Sequence, residues 1–568
     1  MNTAHFGHAG EDSGVTRGIR AALAALCAVA ILCRSLLIRP QSWLSGLRGN
    51  GYVLLGVCLL SVGLVTACTA SPQDGPHPAT PPSSAPVPAG TPEPPAGTPG
   101  WQLGHPGPEH AIEGFADHTS VLPGQDVHLF VSTTAAGYTV TAYRMGAYRD
   151  SDALRVWQSA TEPGHRQAAP VVQAPTNTVI APWQPSLTVP TTGWQPGDYL
   201  FRLDGDNGAQ QFVPLTVRSP SNAGKIVVVN AVTTWQAYNR WGGYSLYSSP
   251  SGAKAQRSRA VSFDRPYQAK DMQGAGDFLF FELPFLRFAE QAGLPLGYAT
   301  DADLHADPHL ADGAAAIVTL GHDEYWSTAM RQNVTAARDR GVNVAFFGGN
   351  EIYRHIRFQP SPLGPDRIEV DYKSFAEDPA HLSDPLEATP EWRSPPFPRP
   401  ESVLLGGFYH CNPVHADLRV AAEDNWLLTG IVHNGQTLPG LVGNEYQRVD
   451  LAVPTPRPID VLFHSPLTCG GRPDFADTSY YTTPSGAAVF AAGTQYWICA
   501  LGPGCDADHD DRTANQAITA ITLRLLRAYA AGPTGRTHPA RDNLAALTIP
   551  GATPNPAATL PPDNSTTR

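Results

Sequence analysis

Charge is scarce in this 568-residue chain: Asp, Glu, Lys and Arg make up 15% of it, low for a cytosolic protein. Cations are scarcer still, 38 against 50 acidic residues, for a formal net charge of −12. Residues 1–67 hold five arginines against Glu11 and Asp12, so the remainder carries −15. Sequence-independent nucleic-acid binding needs a cationic face to displace counterions, so this balance argues against it and no nucleic-acid partner is expected. Walker A, G-x-G-x-x-G, H-E-x-x-H and G-x-S-x-G patterns are all missing, which removes the commonest nucleotide, zinc-protease and serine-hydrolase readings. No cysteine pair has the C-x-x-C spacing of a structural zinc. What is present can fold. Apolar residues reach 42% and aromatics 9%, in a length that suggests two to four domains.

Two apolar stretches come first. Ala21 to Ile38 is interrupted by Arg34, and its role stays open. Tyr52 to Val65, behind Arg39 and Arg48, is too short for a bilayer span of about 20 residues and suits a signal-peptide core. It ends in Leu64-Val65-Thr66-Ala67-Cys68, which resembles the lipobox of bacterial lipoprotein precursors. That resemblance implies lipidation at Cys68 and a chain anchored to the outer face of the cytoplasmic membrane. Ser71 to Gly100 is mostly Pro, Ala, Thr, Ser and Gly with almost no large apolar residue, a composition that extends as a tether. Cys27, Cys33 and Cys58 lie in the leader. Cys411, Cys469, Cys499 and Cys505 then form an even set that an oxidising compartment would pair, Cys499 with Cys505 and Cys411 with Cys469.

The expected plan is a leader at 1–67, a lipidated linker at 68–108, a β-sandwich at 109–218, a second domain at 219–534 and a disordered tail at 535–568. Short alternating runs such as Val127 to Val131 and Thr139 to Tyr143, separated by Pro/Gly turns, give the sandwich. After residue 218 the grammar changes. Lys225 to Asn230, Ala314 to Leu320 and Val342 to Phe347 are continuous apolar runs, read as strands buried on both faces. Helices are expected at Phe278–Gln291, Thr328–Arg340 and Asn515–Ala530. Strand, helix and strand at this spacing predict an α/β domain with a mostly parallel sheet, its functional residues at the strand C-termini.

The loop Gly321-His322-Asp323-Glu324-Tyr325-Trp326-Ser327 puts an imidazole and a carboxylate at such a strand end. With Phe346-Phe347-Gly348-Gly349-Asn350-Glu351 it resembles the large (β) subunit family of N,N-dimethylformamidase. Further likeness lies in Ile112 to Ala116, Tyr143 to Tyr148, Trp235 to Asn239, Gly243 to Tyr247, Ser262 to Tyr267, Leu438 to Glu445 and Tyr480 to Thr482. The resemblance implies a class I glutamine amidotransferase-like fold and hydrolysis of a small amide at a mononuclear ferric iron, Fe(III). It implies Tyr238, Glu324 and a second tyrosine as ligands, Tyr247 in first place and Tyr244 in reserve. His322 would stand beside them, with Asn350, Lys373 and Glu445 completing a polar pocket. Hard phenolate and carboxylate oxygens suit a ferric ion. The expected function is an exported, lipid-anchored amidohydrolase acting on a small or envelope-derived amide, alone, as a homo-oligomer or with a small subunit. The alternative is a non-catalytic surface binding module that keeps the scaffold.

Overall fold

The structure, a computed structural model, describes residues 95–503 and 511–549. All of these belong to one unit, Gly90–Arg568. The leader, Cys68, most of the linker, Cys505 and residues 550–568 lie outside the described residues. Among the described residues no helix is long and apolar enough to cross a membrane.

Between residues 112 and 217 two sheets face each other. Ile112–Ala116, Asp126–Thr133 and Leu187–Pro190 form one; the other is built mainly on Gly137–Tyr148, Gly197–Gly205 and Gln210–Val217. Val127, Leu129 and Val131 from the first interdigitate with Val140, Phe201, Leu203 and Val213 from the second. Residues at alternate positions meet because strand side chains alternate between faces.

A seven-stranded sheet supports the rest. Its strands are β1 (Ile226–Asn230), β2 (Leu296–Thr300), β3 (Ala316–Gly321), β4 (Asn343–Gly348), β5 (Ile459–Cys469), β6 (Arg472–Thr482) and β7 (Ala488–Ala491), in the order β2-β1-β3-β4-β7-β6-β5. Pairing is parallel from β2 to β7 and antiparallel through β6 and β5. Helices α1 (Val232–Tyr238), α2 (Leu283–Gln291), α3 (Asp301–Ala306), α4 (Thr328–Asp339) and α5 (Arg512–Ala530) accompany it. Ile226, Val228, Val318 and Phe347 pack with Phe285 of α2 and Ile518, Ile521 and Leu525 of α5. Val227, Val229, Ile317 and Phe346 pack with Met330, Val334 and Ala337 of α4. Strands covered on both faces are built mainly of apolar residues, and the few polar ones here, Asn230, Thr319 and Asn343, are hydrogen-bonded where they are buried.

The predicted glutamine amidotransferase-like, mostly parallel α/β fold is overturned. Strand outweighs helix, 36% to 19%, and the sheets are several and mixed. The reason lies downstream of β4. Phe408–Arg419 pairs antiparallel with Thr437–Arg448, and β5 with β6, as long ribbons. A ribbon with one solvated face shows interrupted burial, as along Phe408–Arg419, and carries no continuous apolar run to announce it. Residues 535–549, assigned above to the tail, instead bury Ala540, Leu544 and Ile549 in the core.

Cys411 and Cys469 form the expected disulfide, with Cα atoms 6.3 Å apart, joining the Phe408–Arg419 strand to the end of β5. Cys499 is also disulfide-bonded.

Candidate functional site

The C-terminal ends of β1, β3 and β4 open on one place. Behind β1, α1 ends at Tyr238 and the chain reverses through Trp241–Gly243 to bring Tyr247 back beside it. Arg265, 1% exposed, ties this reversal together. Its guanidinium donates to the Gln236 side chain at 3.0 Å and to the carbonyls of Asn239, Trp241 and Tyr244 at 3.0 to 3.1 Å. Burial pulls its pKa down to about 9, a cost offset by the carbonyls that a planar fork can reach together.

Behind β3 the chain turns sharply at Gly321. Its φ is +61°, and a Cβ there would sit 2.4 Å from Phe281, so only glycine fits. The turn delivers His322 and Glu324. The Glu324 N–H donates to Thr234 Oγ1 at 3.0 Å, and the Arg354 N–H donates to the Glu324 carbonyl at 2.9 Å. The carboxylate position is therefore fixed from both sides.

Four oxygens from three side chains converge there. Tyr238 Oη donates to Glu324 Oε2 at 2.8 Å, and Tyr247 Oη to Glu324 Oε1 at 2.9 Å. The two phenol oxygens lie 3.2 Å apart, with the rings stacked at 4.6 Å. His322 Nε2 lies 3.4 Å from Glu324 Oε2 and 3.2 Å from Glu445 Oε2. Asn350 Nδ2 is 3.5 Å from the same imidazole nitrogen, while its Oδ1 is buried without a partner. Lys373 Nζ lies 3.3 Å above the Tyr247 ring and donates to Tyr325 Oη at 2.8 Å. All seven sequence-predicted residues, Tyr238, Tyr247, His322, Glu324, Asn350, Lys373 and Glu445, fall in this one cluster. Tyr244 does not: its ring packs with Phe115 and Trp241 toward the sandwich. Of the two tyrosines left open, Tyr247 is the one beside Tyr238.

Electrostatics follow from burial and from these neighbours. Burial alone would raise the Glu324 carboxyl, but the His322 hydrogen bond, with the charges of His322, Lys373 and Arg354, holds it down to about 2. Burial, then the adjacent carboxylate, pushes both tyrosine hydroxyls well above their ordinary range. The His322 imidazole is disfavoured as a cation by burial yet held well above its usual value by Glu445 and Glu324. Burial and Arg354 lower Lys373 to about 7.

Four participants were not named from sequence. Tyr325, fully buried, donates to Tyr247 Oη at 2.6 Å. Arg354 Nε stands 3.6 Å from Glu324 Oε1. Arg265 organises the tyrosine turn. Asn412 donates through Nδ2 to Glu445 Oε1, opposite Gln495 Nε2 at 3.4 Å on Oε2. Cys411 pairs with Tyr446 and Val414 with Asn444, so Asn412 and Pro413 together oppose Glu445. That two-against-one bulge aims Asn412 at the carboxylate. Two of them lie in segments that carry the family resemblance, Tyr325 in GHDEYWS and Arg265 in Ser262 to Tyr267, but nothing local gave either a role.

Among the described residues no group of three or more His, Cys, Asp or Glu side chains could hold a metal ion. The donor set here is of another kind, two phenols and one carboxylate. Its oxygens stand within 2.8 to 3.2 Å of one another, and two phenolic protons occupy the space between them. A hard cation that displaced those protons would fit the set. Tyr238 and Tyr247 keep partial exposure, so the cluster is not sealed.

No curated protein matches the sequence. Among solved structures, a Paenibacillus sp. cycloisomaltooligosaccharide glucanotransferase complexed with cycloisomaltoheptaose is similar at 12% identity and a TM-score of 0.14, over 43% of this chain and 28% of that one. So small a likeness carries no argument. The family described as N,N-dimethylformamidase beta subunit-like, C-terminal, matches residues 139–510.

Proposed function

This chain belongs to the N,N-dimethylformamidase beta subunit-like family, and on that premise we propose that it is a metal-dependent amidohydrolase. The observation that carries the reading is the meeting of Tyr238, Tyr247 and Glu324 oxygens from three separate segments. These three residues would hold a ferric ion, which would supply Lewis acidity toward an amide carbonyl or a water molecule. The chain's own groups do the rest. Glu445 and His322, 3.2 Å apart, form a carboxylate–imidazolium pair able to take a proton from water and return it to a departing amine. Asn350 Oδ1, buried and unpartnered, can accept from a substrate N–H. Lys373, beside Tyr325 and Tyr247, places positive charge where an oxyanion would develop.

Export and lipid anchoring at Cys68 belong to the same proposal. They are supported by the lipobox-like Leu64–Cys68 and by a disulfide of the kind that oxidising compartments preserve. The substrate is then a small or envelope-derived amide met outside the cytoplasm.

Colour tests the reading. Protein purified from iron-replete cells is expected to show a visible tyrosinate-to-iron band that disappears in Tyr238→Phe, and small-amide turnover that disappears in Glu324→Ala. A colourless, iron-free preparation would favour a surface binding module instead.

A further inference from the structure

The two tyrosines of the cluster look interchangeable in sequence, and their surroundings are not. Tyr247 Oη receives a hydrogen bond from Tyr325 Oη at 2.6 Å. Tyr325 is in turn fixed by Lys373 Nζ, which donates to it at 2.8 Å. With Lys373 donating to its oxygen, the Tyr325 proton is directed outward onto Tyr247, 2.6 Å away. Tyr325 has no freedom to do otherwise. It is fully buried, its carbonyl accepts from Thr233 Oγ1 at 2.9 Å, and its ring stands edge-on to both Tyr238 and Tyr247. Among the described residues no corresponding hydroxyl donates to the Tyr238 oxygen, whose partners are Glu324 and Tyr247.

We propose that Tyr325 is a positioning residue that makes the two tyrosine ligands unequal, leaving Tyr238 the stronger electron donor and Tyr247 the weaker. The inference rests on the iron centre proposed above and adds a division of labour within it. A hydrogen bond to a phenolate oxygen stabilises its lone pairs, so they give less density to a cation. Weaker donation from Tyr247 keeps the cation more acidic toward a substrate carbonyl than two free phenolates would. Charge on Lys373 reinforces this by lying over the Tyr247 ring as well as behind Tyr325.

The test uses full-length protein loaded with ferric iron and reads the position of the visible band. Holding the Tyr247 electrons more tightly raises the energy needed to move one to iron. Tyr325→Phe removes only the hydroxyl, so the band is expected to move to longer wavelength with iron stoichiometry unchanged. If that variant fails to accumulate, Lys373→Met removes the anchor of the same hydroxyl and is expected to move the band in the same direction. A wild-type band that neither variant moves overturns the inequality alone. Wild-type protein without a band overturns the inequality and the iron centre together.

Discussion

The cluster has two halves built on different principles. Tyr238, Tyr247, His322, Glu324 and Asn350 stand at the ends of β1, β3 and β4, in segments held by buried hydrogen bonds to Arg265, Thr234 and the Arg354 amide. Glu445 comes from the antiparallel ribbon, and its support is a bulge, Asn412, and a disulfide one residue away. Backbone held by a fully covered sheet has nowhere to move, which suits groups that must share a cation at fixed distances. A ribbon with a solvated face is looser and needs a covalent staple to bring one side chain to the same accuracy. The difference separates the cation-holding Tyr238, Tyr247 and Glu324 from Glu445, to which His322 reaches across from the first half.

Removing Arg265 should damage the first half most. Arg265→Leu leaves the carbonyls of Asn239, Trp241 and Tyr244 without a buried donor, at roughly 1–3 kcal/mol for each orphaned group. Denaturant unfolding is expected to show a loss above about 4 kcal/mol, with no visible band on iron loading. A variant that kept the band would mean the tyrosine turn is held by something else. Next in size is the staple of the second half. Cys411→Ser with Cys469→Ser opens a loop of 58 residues, worth about 4 kcal/mol at most by chain entropy. Here melting should fall while the band stays where it was. A band lost with the disulfide would collapse the distinction between the halves.

How much of this was legible beforehand follows the same division. Largely apolar runs marked β1, β3 and β4 to within one or two residues, since strands buried on both faces admit few polar side chains. The loops behind them were therefore placed correctly, and Glu324, His322 and Asn350 with them. The ribbon of Phe408–Arg419 and Thr437–Arg448 was not legible. Half-solvated strands look like polar loop in places, and reading them so left a parallel domain where a mixed one stands. Arg265 and Asn412 were missed because their partners are set by topology; Asn412 meets Glu445 across 33 positions of chain. The resemblance put Tyr247 ahead of Tyr244; what brings Tyr247 beside Tyr238 is the reversal at Trp241–Gly243, where Gly242 and Gly243 both adopt positive φ. Its outcome is invisible to residue spacing.

The mildest change gives the cleanest comparison. Asn412→Ala removes one donor from Glu445 Oε1 and leaves His322 and Gln495 on Oε2. Asn412 touches none of the oxygens of Tyr238, Tyr247 or Glu324, so the visible band and iron content should match wild type. Glu445 would lose the contact that fixes its plane, so proton transfer should slow by about 10-fold, the worth of one charge-assisted hydrogen bond. The measurement is small-amide turnover on protein of equal iron content, with Asn412→Gln as a partial rescue because its amide can still reach. If Asn412→Ala shifts the band as well, the ribbon is shaping the donor set. The cluster would then have to be treated as one rigid unit, with Glu445 as much a part of its frame as Glu324.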